Sequence, residues 1–217
     1  MCSALRQEHP RIDFFERSAR HYDLLLDLLT FGQYAAFLKR AVEMLAPGRG
    51  EKVLDLCSGT GRVASWIAQS VGKEGEVVGM DISKGMIEVA TNRCKRLRNV
   101  VFLQKDVTRS WEYQNYFNGI FASFAIHELP GSKRLEILKE SYLALKEKGR
   151  VVIGDFNPQV SGKGRTISQT FFTLFERENL NFFSFDQNEM LREVGFKKIR
   201  TFLVLSNILQ ITVAFKI

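Results

Sequence analysis

The sequence from Val53 to Ala64 reads Val-Leu-Asp-Leu-Cys-Ser-Gly-Thr-Gly-Arg-Val-Ala. It begins as an apolar run typical of a buried strand and continues, after two glycines, as a helical pattern. Gly59 and Gly61 allow a sharp turn and the close approach of a ligand, and the start of the helix offers unpaired N–H groups. The stretch therefore predicts a strand, a tight loop and a helix that together bind a nucleotide-like cofactor.

Two cofactors are compatible with this loop. The residues from Gly59 to Ala64 match the G-x-G-x-x-A pattern of dinucleotide-binding proteins, with Asp81 about twenty residues further on. Asp55, at the end of the strand, would repel a pyrophosphate but suits a cation. S-adenosylmethionine carries an ammonium and a sulfonium there and no phosphate, so Asp55 favours S-adenosylmethionine over NAD. Arg62 is expected to be solvated and does not decide between them.

The composition is that of a globular protein. The 217 residues suffice for one domain, and 45% of them are hydrophobic and 25% charged, although 18 phenylalanines are many for this length. The positive residues behind the net charge of +7 are dispersed, so no nucleic-acid partner is predicted. The longest apolar runs are too short to span a bilayer. Three cysteines without a C-x-x-C pair indicate free thiols and a cytoplasmic protein.

Helices and strands alternate along the rest of the chain. Strands are predicted at 52–56, 76–80, 100–104, 119–124, 150–155, 197–205 and 208–217, and helices at 62–71, 83–97 and 133–145. The last two strands are joined by Ser206 and Asn207 as an antiparallel hairpin, which is not the plan of a dehydrogenase. The predicted fold is α/β: a Rossmann-like, doubly wound, seven-stranded and mostly parallel sheet with a C-terminal antiparallel hairpin.

Two further helical regions flank this sheet. Residues 12–45 have a helical pattern that is predicted to restart at a capping box of Thr30 and Gln33, and this gives an N-terminal helical cap, 1–46, before the core, 47–217. A phenylalanine-rich helix is predicted at 166–179. The aromatic residues of 171–185 either belong to the core, line a pocket for a lipid-like chain, or contact a membrane surface peripherally.

Three sequence motifs resemble those of the class I S-adenosylmethionine-dependent methyltransferases. The motifs are Asp55-x-x-x-Gly59-x-Gly61, the stretch from Val77 to Ser83, and the stretch from Gln104 to Val107. The resemblance implies a set of residues around S-adenosylmethionine: Gly59 and Gly61 at the methionine end, Asp81 at the ribose hydroxyls, and Asp106 with Val107 at the adenine, with Ile82 as a further cofactor-binding residue. Met86, four residues after Ile82, either covers the adenine face or belongs to the core.

The N-terminal region resembles one branch of these enzymes. The pattern Phe15-x-x-Ser18-Ala19-x-x-Tyr22-Asp23 and the stretch from Leu29 to Gly32 are similar to the entry region of ubiquinone and menaquinone C-methyltransferases. The resemblance implies that Tyr22 closes over the cofactor and that the early helices form an apolar entrance for a small or lipid-like acceptor. The alternative is that Tyr22 only packs between helices. The sequence does not indicate an oligomeric state.

The resemblance breaks after the fourth strand. Where the quinone methyltransferases have Phe-Gly-Leu-Arg-Asn, this chain has Phe124-Ala-Ile-His-Glu, which ends at Glu128. His127 is the candidate general base, with Glu128 as its orienting partner and Asp155 as a weaker acid or base candidate. His127 is equally compatible with a structural role. No metal site is predicted. The leading hypothesis is methylation of a quinone ring carbon; the alternatives are a phospholipid or amine methyltransferase, an NAD-dependent oxidoreductase, and a non-catalytic cofactor-binding protein.

Overall fold

The computed structural model describes residues 12–129, 131–162, 165–166 and 186–217. Its helices are α1 (Ile12–Ser18), α2 (Tyr22–Leu29), α3 (Gln33–Leu45), α4 (Arg62–Val71), α5 (Lys84–Cys94), α6 (Gly131–Ala144) and α7 (Gln187–Val194). Its strands are β1 (Lys52–Leu56), β2 (Glu76–Asp81), β3 (Val100–Gln104), β4 (Phe117–Ser123), β5 (Leu145–Phe156), β6 (Lys197–Val204) and β7 (Leu209–Phe215). None of the helices described is long and apolar enough to cross a membrane.

The strands form one seven-stranded sheet with the order β3-β2-β1-β4-β5-β7-β6. Strands β1 to β5 are parallel, and β7 runs antiparallel to both β5 and β6. This arrangement confirms the predicted α/β fold, including the C-terminal hairpin. The strand order reverses between β1 and β4, and ligands of open α/β sheets bind in the crevice at the carboxyl ends of the strands at such a point.

The core has two hydrophobic clusters, one on each face of the sheet. Val53 and Leu54 on β1 are both fully buried, and they belong to different clusters because successive side chains of a strand point to opposite faces. The cluster of Val53 includes side chains of α3 and α4, whereas the cluster of Leu54 includes side chains of α6 and α7. Helix α3 therefore packs directly on the sheet. The division into a cap, 1–46, and a core, 47–217, stays a prediction.

Two strands begin earlier than predicted, and the other strand boundaries differ from the prediction by at most two residues. β4 begins at Phe117 rather than 119, and β5 begins at Leu145 rather than 150, because these two residues pair before the register shifts. β4 ends at Ser123, since the next residue, Phe124, has a positive φ of 48° that breaks the extended backbone. The predicted helix at 166–179 and the aromatic stretch 171–185 fall mainly or wholly outside the described residues.

The cap bends where the sequence predicts, but the predicted capping box is wrong. Phe31 and Gly32 have positive φ values of 51° and 77° and separate α2 from α3. Thr30 ends α2 and has no extended backbone, so its hydroxyl accepts the N–H of Tyr34 at 3.0 Å instead of the N–H of Gln33. A second break, between α1 and α2, divides the described part of the cap, from Ile12 onward, into three helices.

Candidate active site

The loop between β1 and α4 depends on its two glycines in different ways. Gly59 and Gly61 both have positive φ, of 51° and 71°. A Cβ at Gly61 would lie 2.8 Å from the Cβ of Ala90 and 2.9 Å from the ring of Phe102, so this glycine lets the loop pack against α5 and β3. A Cβ at Gly59 would meet only a backbone oxygen at 4.0 Å. The loop is therefore tightly packed at Gly61 and open at Gly59.

Asp55 lies beside this loop and is almost completely buried. Its Oδ2 atom and the hydroxyl of Ser58 have no hydrogen-bond partner among the described residues. Burial and, less strongly, the nearby charge of Asp81 together raise the pKa of Asp55 to about 8, although a hydrogen bond from the N–H of Ala64 opposes the shift. A buried carboxylate oxygen and hydroxyl without partners fit a ligand that brings a cation or hydrogen-bond donors.

Asp81 ends the neighbouring strand β2 and is held by two backbone N–H groups. Its Oδ2 accepts the N–H of Gly59 at 2.8 Å, and its Oδ1 accepts the N–H of Ser83 at 2.9 Å. Burial raises its pKa to about 6, and these two hydrogen bonds oppose the shift. Each oxygen keeps a lone pair that can accept a hydroxyl proton. The two carboxylates thus lie at the carboxyl ends of adjacent strands, where the sequence motifs place the ribose and methionine ends of S-adenosylmethionine.

The other predicted cofactor residues lie around the ends of β2 and β3. Ile82 is half-buried, and Met86 is buried in the first turn of α5, where the N-cap Ser83 accepts its N–H at 3.1 Å. Asp106 follows β3, and its Oδ1 accepts the N–H and the hydroxyl of Thr108 at 2.9 and 2.7 Å. Val107 is buried in the core. Contacts of these side chains with adenine stay predictions.

Tyr22 is the first residue of α2, half-buried, with its ring 6.0 Å from that of Phe15. Its neighbour Asp23 fixes α2 to the glycine loop. The Oδ2 of Asp23 accepts the Thr60 hydroxyl at 2.7 Å and the Arg93 guanidinium at 2.6 Å. The helix that carries Tyr22 is therefore anchored to the loop that carries Gly59 and Gly61. Closure of Tyr22 over the cofactor stays a prediction.

Arg62 is not solvated as expected. It donates two hydrogen bonds to the Asp27 carboxylate, at 2.9 and 2.7 Å, and lies 3.3 Å from Asp23. Arg62 stands in the first turn of α4, where the helix dipole disfavours a cation, and this position is a sequence signal for a carboxylate partner. Asp23 and Asp27 share one face of α2 at a spacing of four residues. The hydrogen bond with Arg62 also lowers the pKa of Asp27.

Helix α1 is fixed to the same region by Glu16. Its carboxylate accepts the N–H groups of Lys84 at 2.7 Å and Gly85 at 2.8 Å, which open α5. An acidic side chain at a helix N-terminus satisfies unpaired donors and complements the helix dipole. Nothing in the local sequence indicates this contact, because it joins residues 68 and 69 positions apart.

His127 and Asp155 form a second buried group on the other side of the strand reversal. His127 lies in a short 3₁₀ turn, Ile126–Glu128, after β4, and Asp155 lies near the end of β5. The ring Nδ1 of His127 is 2.6 Å from Asp155 Oδ1, and the backbone N–H of His127 donates to Asp155 Oδ2 at 3.1 Å. His127 is 2% exposed. Asp155 therefore holds both the backbone and the ring of His127.

Glu128 does not orient the ring as predicted. Its Oε1 lies 3.6 Å from the Nε2 of His127, too far for a hydrogen bond, so Asp155 takes that role instead. Arg134 on α6, which is not among the predicted site residues, donates to the carbonyls of Ile126 at 3.1 Å and His127 at 3.3 Å. Burial lowers the pKa of Arg134, and the Asp155 charge opposes the shift. Its position within an ordinary amphipathic helix gives no signal of this contact.

Comparison with known proteins decides between the two cofactors. The model of the ubiE/COQ5 methyltransferase family matches residues 5–177. This chain belongs to the ubiE/COQ5 methyltransferase family. It is a methyltransferase that uses S-adenosylmethionine, and the unpartnered oxygen of Asp55 together with the hydrogen-bonded Asp81 fits that cofactor. The NAD-dependent oxidoreductase is not favoured.

Relatives of known name cover much of the chain. A demethylmenaquinone methyltransferase of Thermotoga maritima is 34% identical over 203 residues, which are 84% of this chain and 86% of that protein. A 2-phytyl-1,4-naphtoquinone methyltransferase of Thermosynechococcus vestitus is 33% identical over 148 residues, 68% of this chain and 65% of that protein. The chain thus aligns with less than two thirds of the second relative.

Solved structures with lower identity share the fold. A SAM-dependent methyltransferase from Aquifex aeolicus superposes with a TM-score of 0.64 at 21% identity and covers 83% of this chain and 89% of its own. The [4+2]-cyclase SpnF has the same TM-score, 0.64, at 16% identity and covers 82% of this chain and 80% of its own. Since a cyclase and a methyltransferase fit equally well, this likeness establishes the fold alone.

Proposed function

We propose that this enzyme transfers the methyl group of S-adenosylmethionine to a ring carbon of a quinone-type acceptor with a lipid-like tail. The acceptor class is supported by the names of relatives that are 33 and 34% identical. The observation that carries the proposal is the buried hydrogen bond between His127 Nδ1 and Asp155, because it gives the acceptor side of the sheet a histidine of fixed orientation. A lipid-like acceptor further suggests peripheral contact with a membrane and a cytoplasmic location.

The strand reversal between β1 and β4 separates two tasks. Asp55 and Asp81 end β1 and β2 on one side and would bind the donor, Asp55 through cationic groups and Asp81 through the ribose hydroxyls. His127 and Asp155 follow or end β4 and β5 on the other side and would face the acceptor. Holding both reactants in line across this reversal supplies most of the rate enhancement, since methyl transfer from a sulfonium neutralises charge rather than creating it.

His127 removes the proton that the acceptor loses. With Nδ1–H donating to Asp155, the lone pair of the ring is on Nε2, which accepts the proton of the hydroxyl as the neighbouring carbon of the reduced ring bonds to the methyl group and the C–S bond of the donor breaks, releasing S-adenosylhomocysteine. The methylated carbon then loses its own hydrogen as a proton and the ring oxygen takes a proton back, which restores the aromatic ring with a net loss of one proton. The Glu128 carboxylate, 3.6 Å from Nε2, stabilises the resulting imidazolium. S-adenosylmethionine supplies the electrophilic methyl group. Asp155 is a positioning residue in this scheme, since it acts on the acceptor only through His127.

Methyl transfer from labelled S-adenosylmethionine tests the acceptor class. The purified enzyme is incubated with the donor and, separately, with a reduced quinone extract and a phospholipid extract. Label is expected in the quinone fraction. Label that appears only in phospholipid would establish the amine methyltransferase instead, and binding of donor without transfer to either extract would favour a non-catalytic protein.

A further inference from the structure

Helix α2 is amphipathic in the reverse of the usual sense. A surface helix normally turns its apolar face to the protein and its charged face to water. In α2 the acidic residues Asp23 and Asp27 face the protein and are paired with arginines. Leu24, Leu28 and Leu29 on the opposite face are 60, 66 and 67% exposed.

This apolar face extends beyond the three leucines. Leu25 on α2 is also exposed, and Phe31, directly after the helix, is 93% exposed. We define the leucine face as Leu24, Leu25, Leu28, Leu29 and Phe31. Single exposed apolar residues are common on proteins, but a group of large ones within eight consecutive positions marks an interaction surface.

Positively charged residues that precede α2 indicate which kind of partner the leucine face would bind. Three carboxylates of the cap form hydrogen bonds or ion pairs within the protein: Glu16, Asp23 and Asp27. Arg17 and Arg20, which precede α2 in the sequence, are both exposed. An apolar helix face with neighbouring cations is complementary to a bilayer that contains anionic lipids, since the leucines enter the acyl boundary and the arginines meet the phosphates.

We propose that the leucine face docks the enzyme on the surface of an anionic lipid bilayer. The inference rests on the proposed lipid-like acceptor and adds the surface through which the enzyme reaches it. Asp23 on the opposite side of α2 hydrogen-bonds to Thr60 of the donor loop, so a docked α2 lies between the bilayer and the donor site. A membrane acceptor then has a short path to that site.

Co-sedimentation with vesicles tests this proposal on the full chain. The vesicles consist of phosphatidylcholine with or without phosphatidylglycerol. The double variant Leu24→Ser with Leu28→Ser is compared with a control, Leu143→Ser with Leu203→Ser, which removes two leucines that are 51 and 52% exposed on α6 and β6. Circular dichroism melting verifies the folding of each. We expect the α2 variant to lose at least about tenfold in binding to anionic vesicles, and the control to change by less than about twofold.

Three results would overturn the proposal. The first is a wild type that binds neither kind of vesicle. The second is an equal loss of binding in the two double variants. The third is a wild-type dimer, seen by light scattering, that does not bind vesicles and that the α2 substitutions convert to a monomer. Methylation of a short-chain, water-soluble quinol is measured in parallel. We expect the α2 variant to retain this activity, whereas vesicle binding without quinol methylation by the wild type would contradict the proposed function and not the docking surface.

Discussion

Asp55 combines deep burial with an oxygen that has no partner among the described residues. An isolated buried carboxylate is costly when ionised, so it stays protonated in the donor-free protein up to a high pH. Its pKa of about 8 compares with about 3.9 for an unfolded aspartate. In the proposed complex, a cationic group of the donor would supply the missing partner. The buried Asp55 carboxylate thus lowers the stability of the donor-free protein and favours donor binding, a trade-off that is expected of a functional residue.

The first prediction concerns stability and pH. Between about pH 4 and pH 8 the folded protein holds a proton on Asp55 that the unfolded chain lacks, so the free energy of unfolding falls as pH rises through this range. Asp55→Asn should flatten this dependence in the donor-free protein. Urea denaturation at about pH 5 and about pH 8 measures it, and the exposed control Glu88→Gln should keep the wild-type slope. An unchanged slope in Asp55→Asn would contradict the assigned burial.

The second prediction concerns donor affinity. Since the ionised form of Asp55 is the one that attracts a cation, the affinity for S-adenosylhomocysteine, which keeps the ammonium group, should rise between about pH 6 and about pH 8. Ionisation of Asp81, whose pKa is about 6, adds to the rise at its lower end. Calorimetric titration of the wild type and Asp55→Asn measures it. A pH-independent wild type would contradict the role of Asp55.

The third prediction concerns the proposed base. His127→Ala should lower turnover by about two orders of magnitude or more, with donor affinity near that of the wild type. Asp155→Asn should lower turnover as well and shift the pH profile, because an amide no longer fixes Nδ1–H. Glu128→Gln should have a smaller effect, since it makes no hydrogen bond to the ring. Unchanged turnover in His127→Ala would give that residue a structural role only.

At the scale of elements, α2 is anchored to the donor loop by ion pairs and hydrogen bonds of its two aspartates. Asp23 meets Thr60, Arg93 and Arg62, while Asp27 binds Arg62 through both oxygens. A buried ion pair broken on one side leaves an uncompensated charge, which usually costs about 3–5 kcal/mol. These contacts link the orientation of α2 to the conformation of the donor loop.

The fourth prediction tests this link. Asp23→Asn should lower the free energy of unfolding by about 2–4 kcal/mol, with a discount for the partial exposure of Arg93, and it should weaken donor binding as the loop loses its anchor. Glu88→Gln, which removes the exposed pair with Lys84, is the matched control and should change stability by less than about 0.5 kcal/mol. Denaturation and calorimetry measure the two effects. Full donor affinity in a destabilised Asp23→Asn would show that α2 does not control the loop.

Elements with local signals could be predicted from the sequence, and contacts between distant segments could not. The glycine loop after Asp55 and the N-cap Ser83 depend on neighbouring residues, and both are confirmed. The start of β5 at Leu145 depends on pairing with another strand. Glu128 is predicted to orient the ring of His127 only because the two residues are adjacent in sequence. The sheet instead brings Asp155, 28 positions away, within hydrogen-bond distance of that ring.

At the scale of the whole molecule, the strand order places the two groups of site residues on opposite sides of the reversal between β1 and β4. Asp55 and Asp81, which are proposed to bind the donor, lie at the carboxyl ends of β1 and β2, and His127 and Asp155, which are proposed to face the acceptor, lie after β4 and near the end of β5. The leucine face lies on the outer side of the cap, whose inner side anchors the donor loop. In the proposed reaction, the donor, the acceptor and the membrane would all lie at the carboxyl edge of the sheet.

The most direct test of this account is the identity of the methylated atom. The enzyme is supplied with S-adenosylmethionine carrying a ¹³C-labelled methyl group and with a reduced quinone that lacks the ring methyl, and the product is analysed by ¹³C NMR. We expect a carbon-bound methyl signal that forms at least about a hundredfold more slowly with His127→Ala. A methyl signal on oxygen, or no transfer by a wild type that binds the donor, would contradict it.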